Sequence, residues 1–227
     1  MGKRFCILGG AFDPPTLGHI AVAKHVLANG FDIVWLQPCF AHRFGKEMAE
    51  PWQRLEMCEL AAKDSGMQFD PINGNPGMAV TDYEIRHELP GETYHMLKKM
   101  ADYDQDLRDK EKKYPGYLNL FGFKYPSDEK PHLIIGSDNA LCFDKWFKAE
   151  ELKQMACFVV VERKGSELPA GEQWFRQPPH VVLPPMDAPL VESSTQVRRL
   201  IREDKPTNGL ISPLVADYIW EHGLYRG

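Results

Sequence analysis

The chain has 227 residues, 43% of them hydrophobic and 26% charged, with a formal net charge of −5. That length supports one substantial core, and the acidic balance gives no electrostatic footprint for nucleic acid. Five scattered cysteines without a Cys-x-x-Cys, no leader-like opening and no apolar run near the ~20 residues of a membrane span predict a cytoplasmic protein, off the membrane, with neither disulfide framework nor zinc knuckle.

Residues 3 to 8 read as a buried strand carried by Phe5-Cys6-Ile7-Leu8. Gly9-Gly10-Ala11-Phe12-Asp13-Pro14-Pro15-Thr16-Leu17-Gly18-His19 follows, read as a tight glycine turn, a loop and the start of a helix running to about Asn29-Gly30. This order suits an anion. Glycines let backbone approach a ligand, and a helix start offers free N–H groups at the positive end of its dipole. Thr16 and His19 add side-chain donors there. The spacing is neither that of a P-loop nor Gly-x-Gly-x-x-Gly.

Asp32 to Leu36 reads as a second strand ending at Pro38, which completes a βαβ unit and predicts a parallel sheet in an α/β fold. Residues 39 to 50 form a loop on the same sheet edge as the glycine turn, the edge where open α/β sheets bind ligands. His42, Arg43 and Lys46 are therefore candidates to meet an anion. A helix begins at about Pro51 and ends at Ser65-Gly66. Residues 68 to 85 read as extended, with a turn at Asn73 to Gly77. Pro90-Gly91-Glu92-Thr93 leads into a helix from Tyr94 to Ala101.

Residues 102 to 130 break this rhythm with a charged run followed by an aromatic one, and read as an insertion in a single domain of 1–227. His132 to Ile135 is a strand closed by Gly136-Ser137-Asp138-Asn139, and a short helical stretch then brings Trp146. Ala156 to Val161 is a strand ending at Glu162-Arg163-Lys164-Gly165. Residues 166 to 179 are a loop and His180 to Leu183 a short strand. Ser193 and Gln196 match a capping box at the first of two closing helices; the second runs from about Pro213 to His222.

The first glycine-rich stretch together with Ser193-Ser194-Thr195-Gln196-Val197-Arg198 resembles the nucleotidyltransferase superfamily with a (His/Thr)-x-Gly-His signature. Within it, the chain is similar to the nicotinate or nicotinamide mononucleotide adenylyltransferases. Gly136-Ser137-Asp138 with Lys145-Trp146, the strand and turn Phe158 to Gly165, and the ending Ile219 to Tyr225 carry the same resemblance. It covers most of the chain outside residues 102 to 130.

The resemblance implies a Rossmann-like α/β domain with C-terminal helices. It implies transfer of AMP from ATP to a pyridine mononucleotide in NAD biosynthesis, with Mg²⁺ and release of diphosphate. The protein's task in such a reaction is to align two polyanions and neutralise their charge. His19, Thr16 and Arg198 are then the catalytic candidates. Gly9, Gly10, Ala11, Phe12, Gly18, Gly136, Asp138, Ser194 and Thr195 join His19 and Arg198 around ATP, with Asp138 also the candidate metal ligand. Lys46, Thr93, Trp146 and Arg163 are the mononucleotide candidates, Trp146 by stacking on the pyridine ring.

Two departures matter. Thr16 stands where a histidine is common, which keeps another phosphate acceptor such as phosphopantetheine in play. Glu92 brings a negative charge beside Thr93, which leans the acceptor toward the nicotinamide form. A nucleotide-binding regulatory module without turnover is the alternative from outside the enzymes. The expected partners are ATP and a pyridine mononucleotide; nucleic acid and membrane are not expected, and a homo-oligomer is compatible with this reading.

Overall fold

The computed structural model describes residues 4–41, 47–70, 73, 75–102, 130–162, 166–186 and 193–226. Among these described residues, six strands form one sheet: β1 (Phe5–Gly10), β2 (Ile33–Pro38), β3 (Gly77–Val80), β4 (His132–Gly136), β5 (Cys157–Val161) and β6 (Val181–Val182), in the order β3-β2-β1-β4-β5-β6. Every neighbouring pair is parallel, as the βαβ pattern predicts. All strand C-termini therefore share one edge. The order reverses at β1, between β2 and β4, and parallel α/β sheets open a crevice at such a point.

The helices are α1 (Leu17–Ala28), α2 (Pro51–Asp64), α3 (Tyr83–Arg86), α4 (93–102), α5 (Ser137–Leu141), α6 (Ala149–Met155), α7 (Ser194–Arg202) and α8 (Pro213–Glu221). They cover both sheet faces and make two cores. On one face Val34 and Leu36 meet Val26, Met57, Cys58 and Val215. On the other Ile7, Leu133 and Ile135 meet Met96, Leu97, Phe143 and Phe158. Strands buried on both faces explain why Cys157–Val161 is apolar throughout.

Two expectations need correction. Gly9 and Gly10 do not form a turn; they lie in β1, paired in register with Gln37 and Pro38. The chain turns at Phe12, whose φ is +48°. Residues 68 to 85 are not extended throughout: α3 occupies Tyr83–Arg86, directly after the short β3. A separate helix, α6, lies between Trp146 and β5, and its entry turn is made by Lys148 at φ +57°. Ser193 caps α7 by accepting from the Gln196 N–H, the first half of the box read from sequence. The insertion read at 102–130 lies outside the described residues apart from its two end residues.

Candidate active site

A cavity of about 180 Å³ opens at the switch point between β1 and β4. Its floor is apolar, built from Leu8, Val22, Ile134, Ile135 and Val161. Its rim carries Gly9, Thr16, Gly18 and His19 from the first motif, and Gly136, Asn139 and Trp146 from the β4 side. Gly9 is the residue that keeps this space open, because a Cβ there would meet no protein atom within 4 Å. Gly10 differs: a Cβ there would meet the Phe12 ring at 3.4 Å, an ordinary contact.

Thr16 is the N-cap of α1 and is 2% exposed. Its side chain accepts from the His19 N–H, and its own N–H donates to His19 Nδ1 at 2.9 Å. Its hydroxyl also lies 2.8 Å from Nδ1. A backbone N–H can only donate, so Nδ1 is the acceptor nitrogen and Nε2 carries the ring proton. The Phe12 ring packs on the imidazole, centroids 4.9 Å apart. Sequence made Thr16 a donor to an anion; the structure uses its side chain to set the ring of His19.

The second motif reaches the first, but its side chains turn toward the protein. Ser194 Oγ donates to the Pro14 carbonyl at 2.8 Å. Arg198 Nη1 donates to the Asp13 carbonyl at 2.5 Å and lies 3.3 Å from its carboxylate. Its other amino group donates to Thr195 Oγ1 at 3.3 Å. Thr195 itself is exposed at the helix start.

Asp13, absent from the sequence candidates, is the hub of this contact. It is fully buried, and its Oδ1 accepts from the Ala49 N–H at 3.0 Å and from the Tyr225 hydroxyl at 2.8 Å. Burial, then the Asp13 carboxylate, push the Tyr225 phenol far up, so it stays a donor. Arg54 was missed too. It is a buried arginine on α2 whose guanidinium donates to three backbone carbonyls. A signal existed: Arg54 occupies the first position of the buried i, i+3, i+4, i+7 stripe that continues with Met57, Cys58 and Ala61.

At the end of β2, Gln37 donates to buried Glu84 at 3.1 Å. Burial raises Glu84 to about 7, while the Gln37 bond and the Arg54 charge pull the other way.

The remaining candidates divide. Trp146 combines both readings, stacking on Phe143 with centroids 5.0 Å apart while lining the cavity. Asp138 stands in the first turn of α5, next to Gly136 but not on the cavity rim. Ala11 and Phe12 also lie behind the rim, and Phe12 is 1% exposed. Thr93 opens α4 and Glu92 precedes it, both half-buried and neither lining the cavity. His42, Arg43, Lys46 and Arg163 lie outside the described residues. Among the described residues, no helix is long and apolar enough to cross a membrane.

Residues 7–200 match the model of the cytidylyltransferase-like family. The chain is 31% identical over 227 residues to the "Probable nicotinate-nucleotide adenylyltransferase" of Anaeromyxobacter dehalogenans strain 2CP-1, spanning 100% of this chain and 98% of that one. It is 30% identical over 228 residues to the nicotinate-nucleotide adenylyltransferase of Bacillus subtilis strain 168, spanning 99% of each. Among solved structures it is similar to the nicotinic acid mononucleotide adenylyltransferase of Plasmodium falciparum complexed with NaAD. The TM-score is 0.69 at 22% identity, over 99% of this chain and 98% of that one.

Proposed function

The chain belongs to the cytidylyltransferase-like family, in its nicotinate-nucleotide adenylyltransferase branch, and we propose that it transfers AMP from ATP to nicotinate mononucleotide. The products are deamido-NAD and diphosphate. The observation that carries this reading is the convergence of Gly9, Gly18 and His19 with Gly136 and Trp146 on one cavity at the switch point. An apolar floor suits a purine, and a rim of glycines, a helix start and an imidazole suits its phosphates.

In this mechanism the acceptor phosphate attacks the α-phosphorus in line, and the bond to the leaving diphosphate breaks. The chain supplies position and charge relief. His19 donates from Nε2 to the phosphate oxygens, where negative charge grows in the transition state. Thr16 holds that ring through Nδ1, and the N-terminus of α1 adds its N–H groups. Trp146 faces the pyridine ring of the acceptor. Arg198 and Ser194 hold the loop that carries these groups, and Thr195 offers its hydroxyl at the exposed start of α7.

Mg²⁺ fits this donor set. Asp138, in the first turn of α5 behind the rim, would supply one carboxylate, and magnesium ordinarily takes one or two carboxylates with the remaining positions filled by phosphate oxygens and water. Bound there, the ion would neutralise charge on the triphosphate.

The relatives' names favour the nicotinate acceptor; the charge of Glu92 weighs toward nicotinamide. Product formation from ATP with nicotinate mononucleotide, nicotinamide mononucleotide and phosphopantetheine tests the proposal directly. The expected order is nicotinate first. Product with phosphopantetheine alone, or ATP binding without turnover on any acceptor, overturns it.

A further inference from the structure

Arg54 has no place in the chemistry above, yet it is fully buried, and its guanidinium reaches the segments that follow β1 and β2. Its three contacts fall on three separate segments. Nε donates to the Ala49 carbonyl at 2.9 Å, just before α2. Nη1 donates to the Ala11 carbonyl at 2.8 Å, inside the first motif. Nη2 donates to the Phe40 carbonyl at 3.2 Å, just after β2. One planar guanidinium thus ties together three pieces of backbone at the C-terminal edge of the sheet, behind the cavity rim.

The Ala11 contact has a directional consequence. In a trans peptide the C=O and the following N–H point in opposite directions. A donor that draws the Ala11 carbonyl to one side turns the Phe12 N–H to the opposite side, away from Arg54. That N–H has no hydrogen-bond partner among the described residues. Phe12 also sits at φ +48°, a region that a bulky residue avoids unless its surroundings hold it there. Two things hold it: the grip on the carbonyl before it, and a ring buried between Gly10 and His19. Two further carbonyls of the same loop are drawn away in the same manner, Asp13 by Arg198 and Pro14 by Ser194. A loop facing a polyanion has to present N–H groups and hide its carbonyl oxygens.

We infer that Arg54 is a positioning residue for the nucleotide site, which orients the Ala11–Phe12 peptide so that the Phe12 N–H faces the phosphates. This rests on the adenylyl-transfer reading for what binds, and on the three carbonyl contacts for how. Lysine cannot replace it. An ammonium keeps the charge but lacks the rigid fork that spans three acceptors.

The test is R54K in the full chain, compared with M57A. Met57 is buried on the same helix, so its truncation destabilises the protein without touching these carbonyls. R54K is expected to weaken ATP affinity in calorimetry and to lower turnover per folded molecule by about 100-fold, the scale of a ~1 Å misplacement. KM for ATP rises while KM for the acceptor holds. M57A loses stability and keeps both constants. Wild-type ATP affinity in R54K, or an equal loss in M57A at matched urea midpoint, overturns the inference. A second measurement needs no variant: inorganic tripolyphosphate titrated into ¹⁵N-labelled wild-type protein shifts the Phe12 amide resonance, and an unmoved resonance overturns it. If wild type makes no dinucleotide, the reaction assignment fails by itself, since ATP affinity and the amide shift are read without turnover.

Discussion

The two signature stretches look equivalent on paper, and the fold gives them different work. Gly9, Gly18 and His19 of the first stretch line the cavity. Ser194 and Arg198 of the second are bonded to Pro14 and Asp13, behind that rim. One stretch presents; the other braces. A side chain that looks like a ligand contact in sequence can instead hold the loop behind the cavity rim.

The largest test of this division is Asp13→Ala. It removes the carboxylate facing Arg198, whose side chain is 12% exposed, and the acceptor of Tyr225. Breaking a buried pair in this way costs about 3–5 kcal/mol, to be read by urea unfolding. A loss under about 1 kcal/mol, the scale of an average substitution, would show that the brace carries little.

His19→Ala comes next. It should cut turnover by about two orders of magnitude or more, because it removes a preorganised donor, while the stability lost with the Thr16 N–H acceptor and the Phe12 contact stays below that of D13A. An unchanged rate takes His19 out of the mechanism.

Ser194→Ala is the smallest and the most discriminating. The loss of one hydrogen bond to Pro14 costs about 1 kcal/mol of stability. Turnover is expected to fall far less than in H19A. A loss of rate as large as that of H19A, at unchanged stability, would make Ser194 a presenting group and dissolve the contrast.

Much of the fold was legible because local signals and burial agree. Phe5–Leu8, His132–Ile135 and Cys157–Val161 are apolar runs of strand length, and each is a central strand. Residues 68 to 85 misled because the extended pattern continues past Val80 while the backbone closes into α3; a four-residue helix is too short to show a period. Of the site candidates, His19, expected from the first motif, and Trp146, expected from the resemblance, both line the cavity. Asp13 and Arg54 were not legible, since both act through contacts distant in sequence. Asp13 meets Tyr225 across 212 residues, and Arg54 meets Ala11 across 43. Thr16 shows the same limit at short range: its residue type said donor, and only its distance to Nδ1 said clamp.

One detail of β3 bears on how this chain behaves beside its own copies. Gly77 has no room for a Cβ, since one would lie 2.7 Å from the backbone of Phe69. The segment 67–69 is pressed against the outer side of β3, with Phe69 N–H donating to Met78 O at 2.7 Å and Met78 N–H donating to Met67 O at 2.6 Å. The border strand's hydrogen-bonding groups at Met78 are thus already occupied. At the opposite border, β6 is only two residues long. An open parallel sheet ends in two templates for strand addition, and here one is capped and the other is cut short, which guards the sheet against edge-to-edge aggregation.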